Sequence, residues 1–128
     1  MKRKVLVIDD DLDIRESMRI VLEKEGLEVF CAEDSDKGFK LAKDHRPDLI
    51  LLDVIMNTQD EGFQAAYRFR SDADIKDIPI VMITSVSKVT GFTFDKEKDQ
   101  DFLPVSDFIE KPVSPQKLMD TVRKYLGR

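Results

Sequence analysis

The sequence predicts an α/β domain built on a doubly wound parallel sheet, and three observations carry that prediction. Apolar runs of strand length alternate with longer segments of helical periodicity along the 128 residues, the signature of a parallel sheet covered on both faces. The run Leu49 to Leu52 is apolar throughout, as a central strand buried on both faces requires. Polar residues close four of the strand-like runs: Asp9 and Asp10 after VLVI, Asp53 after LILL, Thr84 after IVMI, and Lys111 after DFIE.

In chain order, strands are expected near residues 4–9, 28–32, 48–53, 79–84 and 106–110. The first helix, roughly 12–25, places Ile14, Met18, Val21 and Leu22 on one face and stops at Gly26. A second helix near 35–45 takes Ser35 as its cap, buries Phe39 and Ala42, and ends before Pro47. A third runs from about 62 to 71. The last helix opens with Ser114 as cap and Pro115 in the first helical position, with Val113 and Leu118 spaced as a hydrophobic staple. Leu118, Val122 and Tyr125 or Leu126 then face the core.

Composition bounds the function. The length suits one domain, residues 1–128, with no separate effector domain. With 41% hydrophobic and 37% charged residues the chain reads as globular with a heavily charged surface. A net charge of -5 gives no footprint for nucleic acid, the only basic stretch being Lys2, Arg3 and Lys4. No apolar run approaches the ~20 residues of a membrane span, and no signal peptide is visible, so a cytoplasmic location is expected. The single Cys31, in EVFCA, reads as a buried, reduced thiol.

Ligands of an open doubly wound sheet bind beyond the carboxyl ends of its strands, near the point where strand order reverses. Taken singly, most of the strand-end residues have ordinary roles: acids cap helices, a threonine ends a strand, a lysine before proline sits on a surface. Asp53 is harder to dismiss, because it closes the most apolar run in the chain and a near-buried acid needs a compensating partner. Taken together the set reads as a divalent-metal and phosphoryl site. Asp9 and Asp10 supply hard oxygen ligands for Mg2+, and Asp53 completes the set and offers a carboxylate nucleophile. Lys111 adds positive charge and the Thr84 hydroxyl a hydrogen bond to a phosphoryl oxygen, as phosphoryl transfer requires.

These motifs resemble the receiver domain of two-component response regulators: VLVIDDD at the first strand end, LILLDVIM around the acceptor, MITS at the fourth strand end and DFIEKP at the fifth. Order and spacing are similar across nearly the whole chain. The resemblance implies a flavodoxin-like five-stranded sheet of order 2-1-3-4-5 and a stand-alone, chemotaxis-type receiver. It implies Asp53 as phosphoacceptor, with Asp9, Asp10, Asp53 and the backbone carbonyl of Ile55 holding Mg2+. Lys111 would bridge to the phosphoryl group, Thr84 would be the switch hydroxyl, and Phe108 the aromatic whose rotamer follows it. The Lys111 to Pro112 peptide would be cis. A histidine kinase or phosphotransfer protein would donate the phosphoryl group, and the 85–110 surface would then engage an output protein. The chain would act as a monomer or a phosphorylation-dependent homodimer, catalysing at most its own phosphorylation and dephosphorylation. The one histidine, His45, ends the second helix and belongs on the opposite edge of the sheet as a surface residue.

Two departures from the family pattern stand out. Asn57 occupies a place usually held by proline, and Gly62 in TQDEG falls one residue late. The interval from Thr84 to Lys111 is longer than usual, and Val89 to Phe94 include weak helix formers ahead of the charge run DKEKDQD. An atypical fourth-helix region is therefore expected, a shortened helix followed by an extended excursion. Competing readings are an aspartate-nucleophile phosphohydrolase, which resembles a family with a second acid where Ile55 stands, and an FMN module, whose phosphate the carboxylates of DDDLD would repel. A third is a receiver-like docking module that takes no phosphate.

Overall fold

A computed structural model describes residues 3–53, 59–84, 106–110 and 113–126. Five strands, β1 (Lys4–Ile8), β2 (Glu28–Ala32), β3 (Leu49–Asp53), β4 (Ile80–Thr84) and β5 (Asp107–Glu110), alternate with helices α1 (Leu12–Lys24), α2 (Ser35–His45) and α3 (Gln59–Arg70), and α4 (Pro115–Leu126) follows β5. The sheet has the order β2-β1-β3-β4-β5 and every pairing is parallel. This is the doubly wound, flavodoxin-like arrangement expected. The expected fourth-helix region, the loop holding Ile55 and Asn57, and the Lys111 to Pro112 peptide lie outside the described residues.

The period of two along each strand builds two cores. Val5, Val7, Leu49, Leu51, Val81 and Ile83 face Met18 and Leu22 of α1 and Leu118, Val122 and Leu126 of α4. Leu6, Ile8, Ile50, Leu52, Ile80 and Met82 face Ala42 of α2 and Ala66 and Phe69 of α3. Strands covered on both sides have no polar face to show, which is why β3 is buried along its whole length. Each fully buried Leu or Ile side chain contributes roughly 1.5–3 kcal/mol relative to its exposed state.

Helix ends follow local chemistry. Asp11 caps α1, its carboxylate accepting from the amides of Asp13 and Ile14. At the other end Gly26 adopts φ 83°, and the Gly26 and Leu27 amides return to the carbonyls of Glu23 (3.0 Å) and Leu22 (3.3 Å), a Schellman closure that glycine makes without strain. The cap of α2 is Asp34, not Ser35: its backbone is extended and its carboxylate accepts from Lys37 N at 2.8 Å. α3 begins at Gln59, three residues before the expected start, and runs through Gly62. An interior glycine disfavours helix by about 1 kcal/mol, so α3 is held by what its later turns bury, Ala65, Ala66 and Phe69. Ser114 caps α4 as expected, accepting from Lys117 N at 3.1 Å, and Val113 joins Leu118 in one apolar cluster.

The amino edge of the sheet is tied by polar contacts. Half-buried Arg70 donates to the carbonyls of Lys76 and Ile78, at 2.6 Å each, and reaches Ser106 Oγ at 3.3 Å. The Tyr125 hydroxyl lies 3.0 Å from both Ser106 O and Asp107 Oδ2. Burial, with Asp107 beside it, pushes the Tyr125 phenol well above its ordinary pKa. These contacts anchor the start of β5, the strand that leads toward Lys111. Among the described residues no helix is long and apolar enough to cross a membrane.

Candidate functional site

Strand order reverses between β1 and β3, since β1 connects outward to β2 while β3 connects the other way to β4. Ile8 pairs with Leu52, so the next residues, Asp9 and Asp53, flank that switch point at the carboxyl edge. Carboxylate oxygens of Asp9, Asp10 and Asp53 all lie within 4.8 Å of one another. Asp9 has no exposed surface and Asp53 only 2%, whereas Asp10 is exposed. The loop between β1 and α1 is pinned by its own polar groups. Asp9 N donates to Ala32 O at 3.1 Å, Asp11 N donates to Asp9 Oδ1 at 2.9 Å, and Arg15 Nη1 donates to Asp9 O at 2.7 Å.

Three carboxylates at this spacing repel one another, and two of them have little access to water. The donor set is all hard oxygen, with an exposed acid at its mouth, which suits Mg2+, a cation that binds through one or two carboxylates and keeps several waters. Thiol and imidazole are absent from the cluster, so nothing in it favours a softer metal. The residues present fit the cation that the sequence implied.

Thr84 ends β4 opposite Glu110, and Phe108 pairs with Met82, so both backbones belong to the strands flanking this edge on the β4 side. Their side chains, and Ile55 and Lys111 entirely, lie outside what is described. His45 is exposed at the far end of α2, its ring stacked 4.2 Å from that of Phe30, and its carbonyl accepts from Lys4 Nζ at the start of β1. It therefore sits at the opposite edge, as expected. Cys31 is half-buried, not buried, because β2 is an edge strand covered on fewer sides; burial still pushes its thiol pKa up, which suits an inert thiol. Sequence reasoning passed over Asp11 and Arg15. Asp11 was legible as the last acid before an apolar-periodic helix. Arg15 had a subtler signal, a cation near a helix N-terminus, where the helix dipole disfavours positive charge.

Comparisons with known proteins agree with this geometry. Protein PilH of Pseudomonas aeruginosa is 29% identical over 124 residues, covering 97% of this chain and 98% of PilH. The DNA-binding dual master transcriptional regulator RpaA of Synechocystis is 35% identical over 126 residues, 98% of this chain but 49% of RpaA; the chain thus spans nearly all of one relative and about half of the other. The crystal structure of chemotaxis protein CheY4 from Vibrio cholerae superposes with a TM-score of 0.83 at 27% identity, covering 98% of this chain and 99% of that one. The family model for the response regulator receiver domain matches residues 5–123. With the sheet order, the acid cluster at its switch point and this match in agreement, the chain belongs to the response regulator receiver domain family of two-component signalling.

Proposed function

We propose that this receiver accepts a phosphoryl group on Asp53 in a Mg2+-dependent reaction, and that the resulting aspartyl phosphate changes the 85–110 surface that a partner reads. The observation that carries the proposal is the position of Asp53, 2% exposed at the end of the central strand, with the carboxylates of Asp9 and Asp10 beside it. A buried acid held among like charges is a poor structural choice and a good place for a cation and a phosphoryl group.

Asp53 acts as nucleophile: a carboxylate oxygen forms the new P–O bond as the bond from phosphorus to the donor breaks, the donor being the phosphohistidine of a histidine kinase or phosphotransfer protein. Asp9, Asp10 and Asp53, with the Ile55 carbonyl, would hold Mg2+, which when bound neutralises charge on the phosphoryl oxygens. Lys111 adds positive charge to the same oxygens and the Thr84 hydroxyl donates to one of them. The modification adds about -1.5 to -2 charge units, and Thr84 and Phe108 move inward in response. The protein signals and does not turn over a substrate; its chemistry is confined to gaining and losing its own phosphate.

Incubation with Mg2+ and acetyl phosphate, followed by intact-mass measurement, tests this. The wild-type chain gains one phosphoryl adduct and Asp53→Ala gains none. No adduct on the wild type, or an unchanged adduct on Asp53→Ala, removes the proposal.

A further inference from the structure

We infer that Arg15 is a positioning residue for the acidic cluster: by holding the main chain at Asp9 it keeps the Asp9 carboxylate in register with Asp10 and Asp53, so that the three bind a divalent cation together. This role rests on the Mg2+ reading proposed above and extends it to a residue outside the carboxylates.

Arg15 is half-exposed on α1, and its Nη1 donates to Asp9 O at 2.7 Å. A bond from a charged donor at that length is a strong one. The guanidinium grips a main-chain oxygen, and in that bond it takes up no carboxylate oxygen that a metal needs. Its place is not explained by helix stability, because a cation near the α1 N-terminus opposes the helix dipole. Nor does it serve the helix cap, since Asp11 already accepts from the Asp13 and Ile14 amides. What Arg15 fixes is the turn that leads out of β1. Asp9 N is held by Ala32 O, Asp9 Oδ1 by Asp11 N, and Asp9 O by Arg15. With the nitrogen, the carbonyl and the side chain all tied, the residue has little freedom to rotate its carboxylate away from Asp53.

Two effects of Arg15 on cation binding have opposite signs, and this makes the inference testable. As a bare positive charge near the cluster it repels a divalent cation, so neutralising it should tighten binding. As a positioning group it holds a ligand in place, so neutralising it should loosen binding. Groups that orient metal ligands are typically worth about 10–100-fold in affinity. Arg15 acts one step further back, through the Asp9 main chain, so the lower end of that range is expected, still more than the effect of one partly solvated charge.

Calorimetric titration of Mg2+ into the wild type, Arg15→Gln and Arg15→Lys tests the inference, at a temperature where melting curves in EDTA show all three folded. We expect Arg15→Gln to bind Mg2+ about ten-fold or more weakly, and Arg15→Lys, which keeps the charge without the planar fork, to fall between it and the wild type. Binding by Arg15→Gln as tight as the wild type, or tighter, overturns the positioning role while leaving the cation site standing. Absence of Mg2+ binding by the wild type removes the cation site itself, and the role of Arg15 with it.

Discussion

Two groups of acids in this protein are handled in opposite ways. Asp72 and Asp74, in the connection between α3 and β4, converge on Lys43 of α2, with Nζ to carboxylate distances of 2.9 and 2.8 Å. Asp9, Asp10 and Asp53 converge on one another at the switch point of the sheet. The first group is at the surface, Asp74 being 47% exposed, and its cation comes from the chain. The second includes two acids with at most 2% exposure, and its geometry suits a cation from solution. Where charge is gathered for architecture, the fold places a counter-charge against it in water, at little gain or loss. At the switch point the fold instead tolerates burial and like-charge repulsion, an arrangement that supports the phosphoryl site proposed above.

The sharpest way to break that contrast is Asp9→Asn, which keeps the oxygen accepting from Asp11 N and removes one charge. Mg2+ binding should be lost, and in EDTA the midpoint of thermal unfolding should rise by about 4 °C, equivalent to ~1 kcal/mol in a domain of this size. A lower midpoint would show that the three carboxylates do not strain the metal-free fold.

An effect on stability alone, with no loss of a ligand, is expected from Gly38→Ala, beneath the acid cluster. A Cβ at Gly38 would stand 2.4 Å from Ile8 Cδ1 and 2.7 Å from Ile8 Cγ1, and Ile8 is fully buried one residue before Asp9. Overpacking costs about 1–3 kcal/mol, and the gain in helix propensity, up to about 1 kcal/mol, offsets only part of it. Chemical denaturation should therefore show a net loss of about 1 kcal/mol. An unchanged midpoint would mean that Ile8 repacks freely and that the seat of Asp9 is not rigid.

The smallest effect belongs to the surface group and carries a pH signature. The hydrogen bond from Lys43 holds the Asp72 carboxyl below its ordinary pKa of 3.8. A depressed acid contributes stability above its unfolded pKa and loses it as pH falls through the folded value. Asp72→Asn should therefore melt slightly below the wild type near neutral pH, and the two melting curves should converge below pH 3.8. A difference that persists in acid would assign the contribution of Asp72 to something other than its charge.

Much of this was legible in the sequence because it depends on short-range regularities. Strand positions were readable to within about one residue, since a parallel strand covered on both faces must be continuously apolar, as in Leu49 to Leu52. Gly26 and Ser114 announced a helix end and a helix start through backbone chemistry that involves only neighbours. The misjudged points are ones where neighbours offer equivalent chemistry. Ser35 and Asp34 are both competent caps, and which of them caps depends on where the chain leaves β2. The third helix was expected from about residue 62, yet α3 begins at Gln59 and runs through Gly62, with Ala65, Ala66 and Phe69 packed into the core.

The sequence alone determined the two-layered covering of the sheet, the identity of the strand-end acids and the family to which they belong, because each follows from residue type and spacing along the chain. Only the tertiary structure decided that Asp9, Asp10 and Asp53 share one site within 4.8 Å, that Asp10 faces solvent while its neighbour does not, and that Arg15 reaches back to Asp9 O. Those facts depend on which strands lie side by side and how the β1 to α1 turn folds onto itself. Distance between residues far apart in the chain is set by packing, and no local pattern encodes it.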